Sequence, residues 1–323
     1  MPIYKKAYAK INLSLDVKGK LENGYHEVCM IMQTVGLFDE LSFDMFDCGG
    51  EERIKLETGK ITITENLKDN LIYRASQLLL PKFPEGKGVT IKLVKNIPMS
   101  AGMAGGSTDA AAAFHGINEL FELGLSDEEL CGLGVKIGAD VPYCIMGGTM
   151  LAEGIGEKLT RLPLLKGLNL VIAKPGAGVS TKYVYETLDA MENPIHPDVA
   201  AMVDVIKKTA ALGRGSGEDK SEKNCADKNG TDKCRAEELS NGYKEISSLL
   251  GNILETVTIP ACPDVEILKK QLIKYGAEGS LMSGSGPTVF GIFRDAETAR
   301  TAALNMKNDP RCPAKDIFVT ETI

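Results

Sequence analysis

The sequence predicts an α+β fold of two domains, and three observations lead to that prediction. The chain has 323 residues, which is long for one domain and typical of two. Its first third consists mainly of alternating, strand-like stretches, and helical spacing and a glycine-rich loop follow them. With 43% apolar and 25% charged residues, the composition is that of a globular protein that can bury a sizeable core.

The predicted elements follow one another from the start of the chain. In AYAKINLSLDV the odd positions 11–17 are apolar and the even positions 10–16 are polar, so the two sets are expected on opposite faces of one strand. After the turn GKLENGYHE, a meander is predicted from VCMIMQTVGLF and DELSFDMF, and a further strand from GVTIKLVKNIP. Helices are predicted for NLIYRASQLLL and, behind the cap Ser126, for DEELCGLGVKIG. A turn with two short strands is expected in GADVPYCIMGGTMLAEGIGEKL, and buried strands in LNLVIAKP and LMSGSGPTVFGIF.

Charge and cysteine usage exclude several classes of protein. A net charge of −7 argues against nucleic-acid binding, which usually needs a basic footprint. No run of eighteen apolar residues predicts a membrane span, and the start of the chain does not resemble a signal peptide. The eight cysteines form no CxxC pair, and several lie in apolar runs, as reduced core thiols do. We therefore expect a cytoplasmic protein without a zinc site.

Residues 213–242 differ in composition from the rest of the chain. This segment holds thirteen charged residues, no aromatic residue and a single leucine. It cannot bury enough apolar surface to offset the entropy lost on ordering, so we expect a solvated, disordered insertion.

The stretch PMSAGMAGGST, residues 98–108, predicts a phosphate-binding loop. It follows a predicted strand and precedes a helix expected from about Ser107 to Glu122, so unpaired N–H groups and the helix dipole would favour an anion. Glycines 102, 105 and 106 would let phosphate approach the backbone, while Ser107 and Thr108 offer hydroxyls to phosphate or to a metal on it. Both the GxxxxGK[ST] and the GxGxxG patterns are missing, so the loop is of a third type.

PMSAGMAGGSTDAAAA resembles the nucleotide loop of the GHMP kinases, a family that includes galactokinase, homoserine kinase and mevalonate kinase. The lysine-bearing AYAKINLSL and the glycine turn SLMSGSGPTVFGIF occur in the order typical of that family. AKINLSLDV, NGYHEVCMIMQTV, IPMSAGMAGGSTDAAAAF and GADVPYCIMGGTMLAEGIGEKL are most similar to the members that phosphorylate a cytidine diphosphate ester of methylerythritol. The resemblance implies a two-domain GHMP kinase fold, with a ribosomal S5 domain 2-like ATP-binding domain at 1–162 and an α+β domain at 163–323. The active site is then expected in the cleft between them.

The resemblance also implies roles for individual residues. Lys10 and Asp140 match the catalytic pair of the family, and we expect them to face each other within charge-pair distance. The positions that match the ATP loop are Pro98, Met99, Ser100, Ala101, Gly102, Met103, Ala104, Gly105, Gly106, Ser107 and Thr108. The positions that match the acceptor site are Asn12, Tyr25, His26, Thr181 and Tyr185. Met103, Thr108 and Met32 depart from residues common in the family, and Met32 puts a third stacking partner for the base in doubt.

The chemistry of these residue types agrees with a kinase. In phosphoryl transfer the protein mainly positions groups and neutralises charge. Asp140, in the glycine-preceded turn GADVP, would take the proton from the attacking hydroxyl, and Lys10 would neutralise charge on the transferred group. No carboxylate near the loop is an obvious metal ligand, so Mg²⁺ is expected to bind the phosphates of ATP together with Ser107 or Thr108.

The resemblance implies ATP-dependent phosphorylation of the 2-hydroxyl of the methylerythritol ester, giving its 2-phosphate and ADP, in the non-mevalonate route to isoprenoids. Two alternatives stay open at this point: a homoserine or mevalonate type of kinase, and a non-catalytic nucleotide- or RNA-binding relative. The GYHE and GADVPY stretches argue against the first, and the acidic balance argues against the second. The expected partners are the two small molecules, with no nucleic acid or membrane, and the chain is expected to be a monomer or weak homodimer.

Overall fold

The computed structural model of the chain describes residues 1–50, 52–59, 64, 66–213 and 241–323, so nearly all of the predicted insertion lies outside the described residues. The strands are β1 (Ile3–Lys20), β2 (His26–Asp47), β3 (Ile54–Glu57), β4 (Lys87–Val94), β5 (Thr149–Gly154), β6 (Lys158–Arg161), β7 (Asn169–Pro175), β8 (Gly251–Asn252), β9 (Gly279–Met282), β10 (Val289–Phe293) and β11 (Ala314–Glu321). The α-helices are α1 (Leu71–Leu79), α2 (Gly105–Leu120), α3 (Asp127–Gly134), α4 (Val141–Met146), α5 (Thr181–Leu188), α6 (Val199–Gly213), α7 (residues 241–248), α8 (Glu255–Ala261), α9 (Asp264–Lys274) and α10 (Ala296–Asn308). Strands and helices thus form a mixed α+β architecture.

A long antiparallel ribbon of β1 and β2 organises the first sheet. The strand order is β3-β4-β2-β1-β8, and β5 pairs with β2 while β6 pairs with β5. The meander predicted from VCMIMQTVGLF and DELSFDMF is wrong, because both stretches belong to the single 22-residue strand β2. Gly36 lies inside this strand, and there a side chain would meet Thr320 Oγ1 at 3.0 Å. The glycine therefore admits the end of β11 instead of turning the chain.

The predicted alternation of β1 holds only in part. Ile11 and Leu13 pack in one hydrophobic cluster, whereas Leu15 and Val17 pack in another. Between Asn12 and Ser14 the register against β2 shifts by one residue, and an extra residue in one strand redirects the side chains that follow it. The apolar positions of β1 therefore face two different cores.

Helix α2 packs across the first sheet and carries the phosphate loop at its start. It begins at Gly105, two residues earlier than predicted, and buries Phe114 and Ile117 against β2 and β4. Gly116 is needed there because a Cβ would lie 2.3 Å from the ring of Phe43. Helix α3 has the predicted Ser126 cap, completed by Glu129 as a capping box, but α4 was not predicted.

The second sheet has the order β11-β7-β10-β9 and packs against α9 and α10. It contains the predicted strands LNLVIAKP and the pair around the glycine turn. Ile11 and Val35 of the first sheet share a cluster with Ile172 and Phe290 of the second. Because of this shared core, residues of both halves line one cleft.

Among the described helices, none combines the length and apolar character needed to cross a bilayer. The cysteines of the described residues are free thiols, as the sequence predicts: Cys29, Cys48, Cys131, Cys144, Cys262 and Cys312.

Candidate active site

A cleft of about 570 Å³ brings together half of the residues that the sequence analysis selected. The predicted residues in its wall are Lys10, Tyr25, His26, Gly102, Ala104, Ser107, Asp140, Thr181 and Tyr185. Further wall residues, which the sequence analysis missed, include Lys20, Lys182, Glu186, Gly284 and Ser285. The phosphate loop forms one end of the cleft, and we refer to Tyr25, His26 and Tyr185 at the other end as the acceptor wall.

The phosphate loop has an unusual backbone. Ser100, Gly102 and Ala104 all have positive φ, at 52°, 67° and 57°. For the two non-glycine residues this conformation costs about 1–3 kcal/mol each, and such strain is concentrated at functional sites. Pro98 is half-buried, Met99 and Ser100 are exposed, and Ala101 and Met103 lie in the core between the two sheets. The buried side chains of Ala101 and Met103 therefore anchor the loop to this core.

Gly102 is required by a protein neighbour. A Cβ at this position would lie 2.2 Å from the carbonyl oxygen of Ser283, in the C-terminal glycine turn. Ser283 Oγ in turn donates to the Gly102 carbonyl at 3.0 Å. A Cβ on Gly284 would likewise approach the Gly102 carbonyl to 2.9 Å. The two glycine-rich segments therefore interlock, and Gly102 allows this contact.

The start of α2 presents free backbone donors to the cleft. Its N-cap, Ala104, makes no side-chain cap bond, and the first helical bond runs from Thr108 N to Ala104 O at 2.9 Å. Within the described residues, the N–H groups of Gly105, Gly106 and Ser107 thus have no hydrogen-bond partner. The Ser107 side chain lines the cleft, whereas buried Thr108 donates its hydroxyl to Tyr8 O at 2.7 Å.

A buried ionic cluster supports the first turn of α2. Lys95 pairs with Asp39 of β2 and, at 2.8 Å, with Asp109 of α2. Asp39 also accepts from the N–H groups of Asn96 at 2.5 Å and Ile97 at 2.7 Å. Burial raises the pKa of Asp109 to about 8, with Asp39 adding to the rise and Lys95 opposing it. No local sequence motif marked these residues, because they meet only in the folded chain.

Lys10 and Asp140 line the same cleft but are not in direct contact. Lys10 is 5% exposed and donates to Asn12 Oδ1 at 2.7 Å, and the described residues include no ion pair between Lys10 and Asp140. Asp140 is the N-cap of α4 without a side-chain cap bond, so its carboxylate is available. Burial, with the charge of Asp140 as a second cause, raises the pKa of Tyr185 to about 12.

Asn12 connects the two halves beneath the cleft. Its Oδ1 atom accepts from Lys10 and, at 3.1 Å, from the N–H of Gly284 in the C-terminal turn. Asn12 is fully buried and does not line the cleft itself. The same turn is fixed from the other side by Thr181 Oγ1, 2.7 Å from Ser285 Oγ. These bonds hold Lys10 in place relative to the turn.

The acceptor wall is more open. Tyr25 is 58% exposed in the turn between β1 and β2, and His26 begins β2. The rings of His26 and Tyr185 have centroids 4.7 Å apart at an angle of 37°. Tyr185 lies on α5, which also carries Thr181 at its first position. The wall thus offers flat aromatic surface from two separate elements.

Two family models match parts of the chain, and curated proteins match it over most of its length. The model described as GHMP kinases N terminal domain matches residues 70–148, and the model described as GHMP kinases C terminal matches residues 235–311. A 4-diphosphocytidyl-2-C-methyl-D-erythritol kinase of Lachnospira eligens is 45% identical over 98% of this chain and 97% of its own length. One of Acetivibrio thermocellus is 43% identical over 98% of both chains.

Solved structures show the same fold. A 4-(cytidine 5′-diphospho)-2C-methyl-D-erythritol kinase, 26% identical, superposes with a TM-score of 0.73 over 99% of both chains. A homoserine kinase from Cytophaga hutchinsonii, 20% identical, gives a TM-score of 0.68 over 99% of this chain and 94% of that one. The second likeness is one of fold alone.

Proposed function

The chain belongs to the 4-diphosphocytidyl-2-C-methyl-D-erythritol kinases of the GHMP kinase family, and from this premise we propose how its cleft carries out the reaction. The enzyme phosphorylates the 2-hydroxyl of 4-diphosphocytidyl-2-C-methyl-D-erythritol with ATP, releasing the 2-phosphate and ADP, in the non-mevalonate route to isoprenoids. The observation that carries the assignment of sites is that the phosphate loop and the acceptor wall lie at two ends of one cleft that contains both Lys10 and Asp140.

The phosphate loop binds the triphosphate of ATP in this proposal. Three free N–H groups, at Gly105, Gly106 and Ser107, converge at the positive end of a 16-residue helix, which is a favourable site for phosphate oxygens. The ATP-binding domain spans 1–162 and the second domain 163–323, with the cleft between them.

The donor set fits Mg²⁺ that enters with ATP. Among the described residues no cluster of three acidic, histidine or cysteine side chains forms a metal cage. Mg²⁺ commonly takes one or two protein oxygens and completes its shell with phosphates and water. Ser107 lines the cleft and can supply such an oxygen, whereas the Thr108 hydroxyl is engaged with Tyr8. When bound, the cation neutralises charge on the transferred phosphoryl group.

Asp140 and Lys10 act on the acceptor hydroxyl. The uncapped Asp140 carboxylate orients the hydroxyl and accepts its proton, a role worth about 10²–10⁴ in rate. Lys10, fixed by Asn12, places its ammonium where negative charge develops during transfer. Because no direct ion pair joins them among the described residues, each can contact the reacting groups from its own side.

The acceptor wall binds the cytidine. Tyr25 and Tyr185 stack on the faces of the base, and His26 contacts its edge, with Thr181 beside them. Binding energy from this remote base then positions the reacting hydroxyl. Such a wall would serve little purpose for homoserine or mevalonate, which have nothing to stack.

Substitution of Asp140 tests the assignment. Asp140→Asn keeps the size of the side chain and removes its basicity, so kcat is expected to fall by about 10² or more while ATP affinity stays within a few-fold. Asp47→Asn is the matched control, because Asp47 pairs with Lys87 at the exposed end of β2 and does not line the cleft. Steady-state ADP release and calorimetric titration with ATP measure the two quantities. An Asp140→Asn enzyme with the kcat of the Asp47→Asn control would refute the assigned role.

A further inference from the structure

Asp189 lies directly behind the acceptor wall and contacts both His26 of the wall and Lys20. It caps the C-terminal end of α5, one helical turn after Tyr185. Its Oδ1 atom is 2.7 Å from Nε2 of His26, and its Oδ2 atom is 3.0 Å from Nζ of Lys20. The carboxylate thus joins the end of β1, the start of β2 and the end of α5, yet it does not line the cleft.

The contact with Asp189 determines which nitrogen of His26 carries a proton. Burial alone would raise the pKa of Asp189, but the hydrogen bonds from His26 and Lys20 hold this pKa below its ordinary value. The carboxylate is therefore ionised at neutral pH. An ionised carboxylate only accepts hydrogen bonds, so the facing Nε2 must present an N–H. In the neutral ring the other nitrogen, Nδ1, is then an acceptor, and it has no hydrogen-bond partner among the described residues.

We propose that Asp189 is a positioning residue for base selection: it holds the proton of His26 on Nε2, so that Nδ1 accepts a hydrogen bond from the amino group of cytosine. This inference rests on the proposed binding of the base at the acceptor wall. Uracil carries a carbonyl oxygen where cytosine carries the amino group. Two acceptors would then face each other, and a polar group that loses its partner in a partly buried site weakens binding.

The surroundings hold the ring in this orientation. The side chain of His26 is only 12% exposed, and Tyr185 packs against the ring at 4.7 Å. Lys20 balances the negative charge of Asp189, so that the wall does not repel a diphosphate ester. Rotation of the ring would break the bond to Asp189, and therefore Asp189 fixes both the tautomer and the orientation of His26.

The histidines of the chain provide an internal standard for a spectroscopic test. His196 meets a carboxylate through the opposite nitrogen, because its Nδ1 is 2.6 Å from Asp16 Oδ1. Nitrogen-15 NMR of the enzyme near about pH 8, where an ordinary histidine is neutral, should show His26 protonated on Nε2 and His196 on Nδ1. With only three histidines in the sequence, His115→Gln and His196→Asn assign the signals. A His26 signal with its proton on Nδ1 would overturn the proposal.

Binding of cytidine 5′-diphosphate and uridine 5′-diphosphate tests the consequence. Asp189→Ala should lower the preference for the cytidine nucleotide about tenfold, the size of one hydrogen bond. The kcat at saturating acceptor should stay unchanged while KM rises. Asp47→Asn, at an exposed ion pair far from the cleft, should leave the preference intact. A general distortion of α5 would weaken both nucleotides equally, so an unchanged preference in Asp189→Ala would contradict the proposal.

A double-mutant cycle separates this inference from the assignment of the wall. If Asp189 acts through His26, then Asp189→Ala should have no further effect on the preference in a His26→Ala background. An equal effect in both backgrounds would show that Asp189 does not act through His26. Failure of Tyr185→Ala to weaken the cytidine nucleotide would instead show that the base does not bind at the acceptor wall, which overturns both proposals.

Discussion

The phosphate-loop end of the cleft is formed by backbone held against buried neighbours, whereas the acceptor end is formed by side chains on exposed elements. Gly102 interlocks with Ser283, and Lys95, whose side chain is 7% exposed, supports the first turn of α2. Tyr25, at the other end, is 58% exposed, and the Lys20–Asp189 pair behind it lies at the surface.

This difference indicates which substitutions should alter substrate binding without altering the stability of the fold. The segment that we propose to bind phosphate also holds the two halves of the chain together through Gly102 and Ser283, so a substitution at Gly102 should alter stability and nucleotide binding at once. At the acceptor wall the exposed Tyr25 side chain can be removed without opening a core, so its loss should alter only the recognition of one substrate. The two ends should therefore respond to mutation in different ways.

The largest effect is expected at Gly102. In Gly102→Ala the new Cβ would lie 2.2 Å from the Ser283 oxygen, in a backbone with φ of +67°. We expect the free energy of unfolding to fall by about 2 kcal/mol or more, with loss of kinase activity. Gly106→Ala is the control for stability, because its Cβ would make an ordinary contact with Leu71 at 3.5 Å. Denaturant unfolding and ADP release check both variants, and a Gly102→Ala protein as stable as Gly106→Ala would contradict the interlock.

The second effect belongs to the acceptor wall. Tyr25→Ala removes one stacking face, so binding of the cytidine ester should weaken roughly ten- to a hundredfold while ATP affinity and thermal stability stay unchanged. Tyr4→Ala, at an exposed tyrosine near the start of β1, provides the control. Acceptor KM and calorimetry with ATP measure the outcome. Equal KM values for the two variants would mean that Tyr25 does not stack on the base.

The smallest effect is a pH dependence of stability from the cluster under α2. The pKa of Asp109 in the folded chain is about 8, above the ordinary value of 3.8. The folded state thus holds this proton more tightly, and the stability it contributes is present below about pH 4 and lost as pH rises through about 8. Asp109→Asn stays neutral, so its Tm should decline less than that of the wild type between pH 6 and 9. If calorimetry gave parallel curves of Tm against pH for Asp109→Asn and the wild type, the raised pKa of Asp109 would be contradicted.

The sequence predicts local features of this molecule well. The glycine-rich loop before α2, the Ser126 cap and most strands depend on residue patterns within about ten positions, and the structure has them. The sequence analysis divided β2 between Phe38 and Asp39, whereas the strand continues through both residues and its Gly36 allows contact with the end of β11.

What the sequence could not predict depends on residues far apart in the chain. Ser283 reaches Gly102 across 181 positions, and Asp39 reaches Lys95 across 56. No sequence pattern links the two members of either pair, because each contact exists only after the two sheets and α2 have packed. Asp189 likewise lies in no motif, and only its contact with His26 indicates a role. The roles of the site residues themselves stay predictions that the experiments above address.

A structure of the ternary complex with a non-hydrolysable ATP analogue and the cytidine ester tests most directly whether one end of the cleft binds the triphosphate and the other end binds the cytidine. The triphosphate should contact the N–H groups of Gly105, Gly106 and Ser107, and the cytosine should lie between Tyr25 and Tyr185. The 2-hydroxyl of the acceptor should then lie within hydrogen-bond reach of Asp140 and next to the γ-phosphate. Binding of the triphosphate at the turn around Gly284, or of the base away from the acceptor wall, would contradict the account.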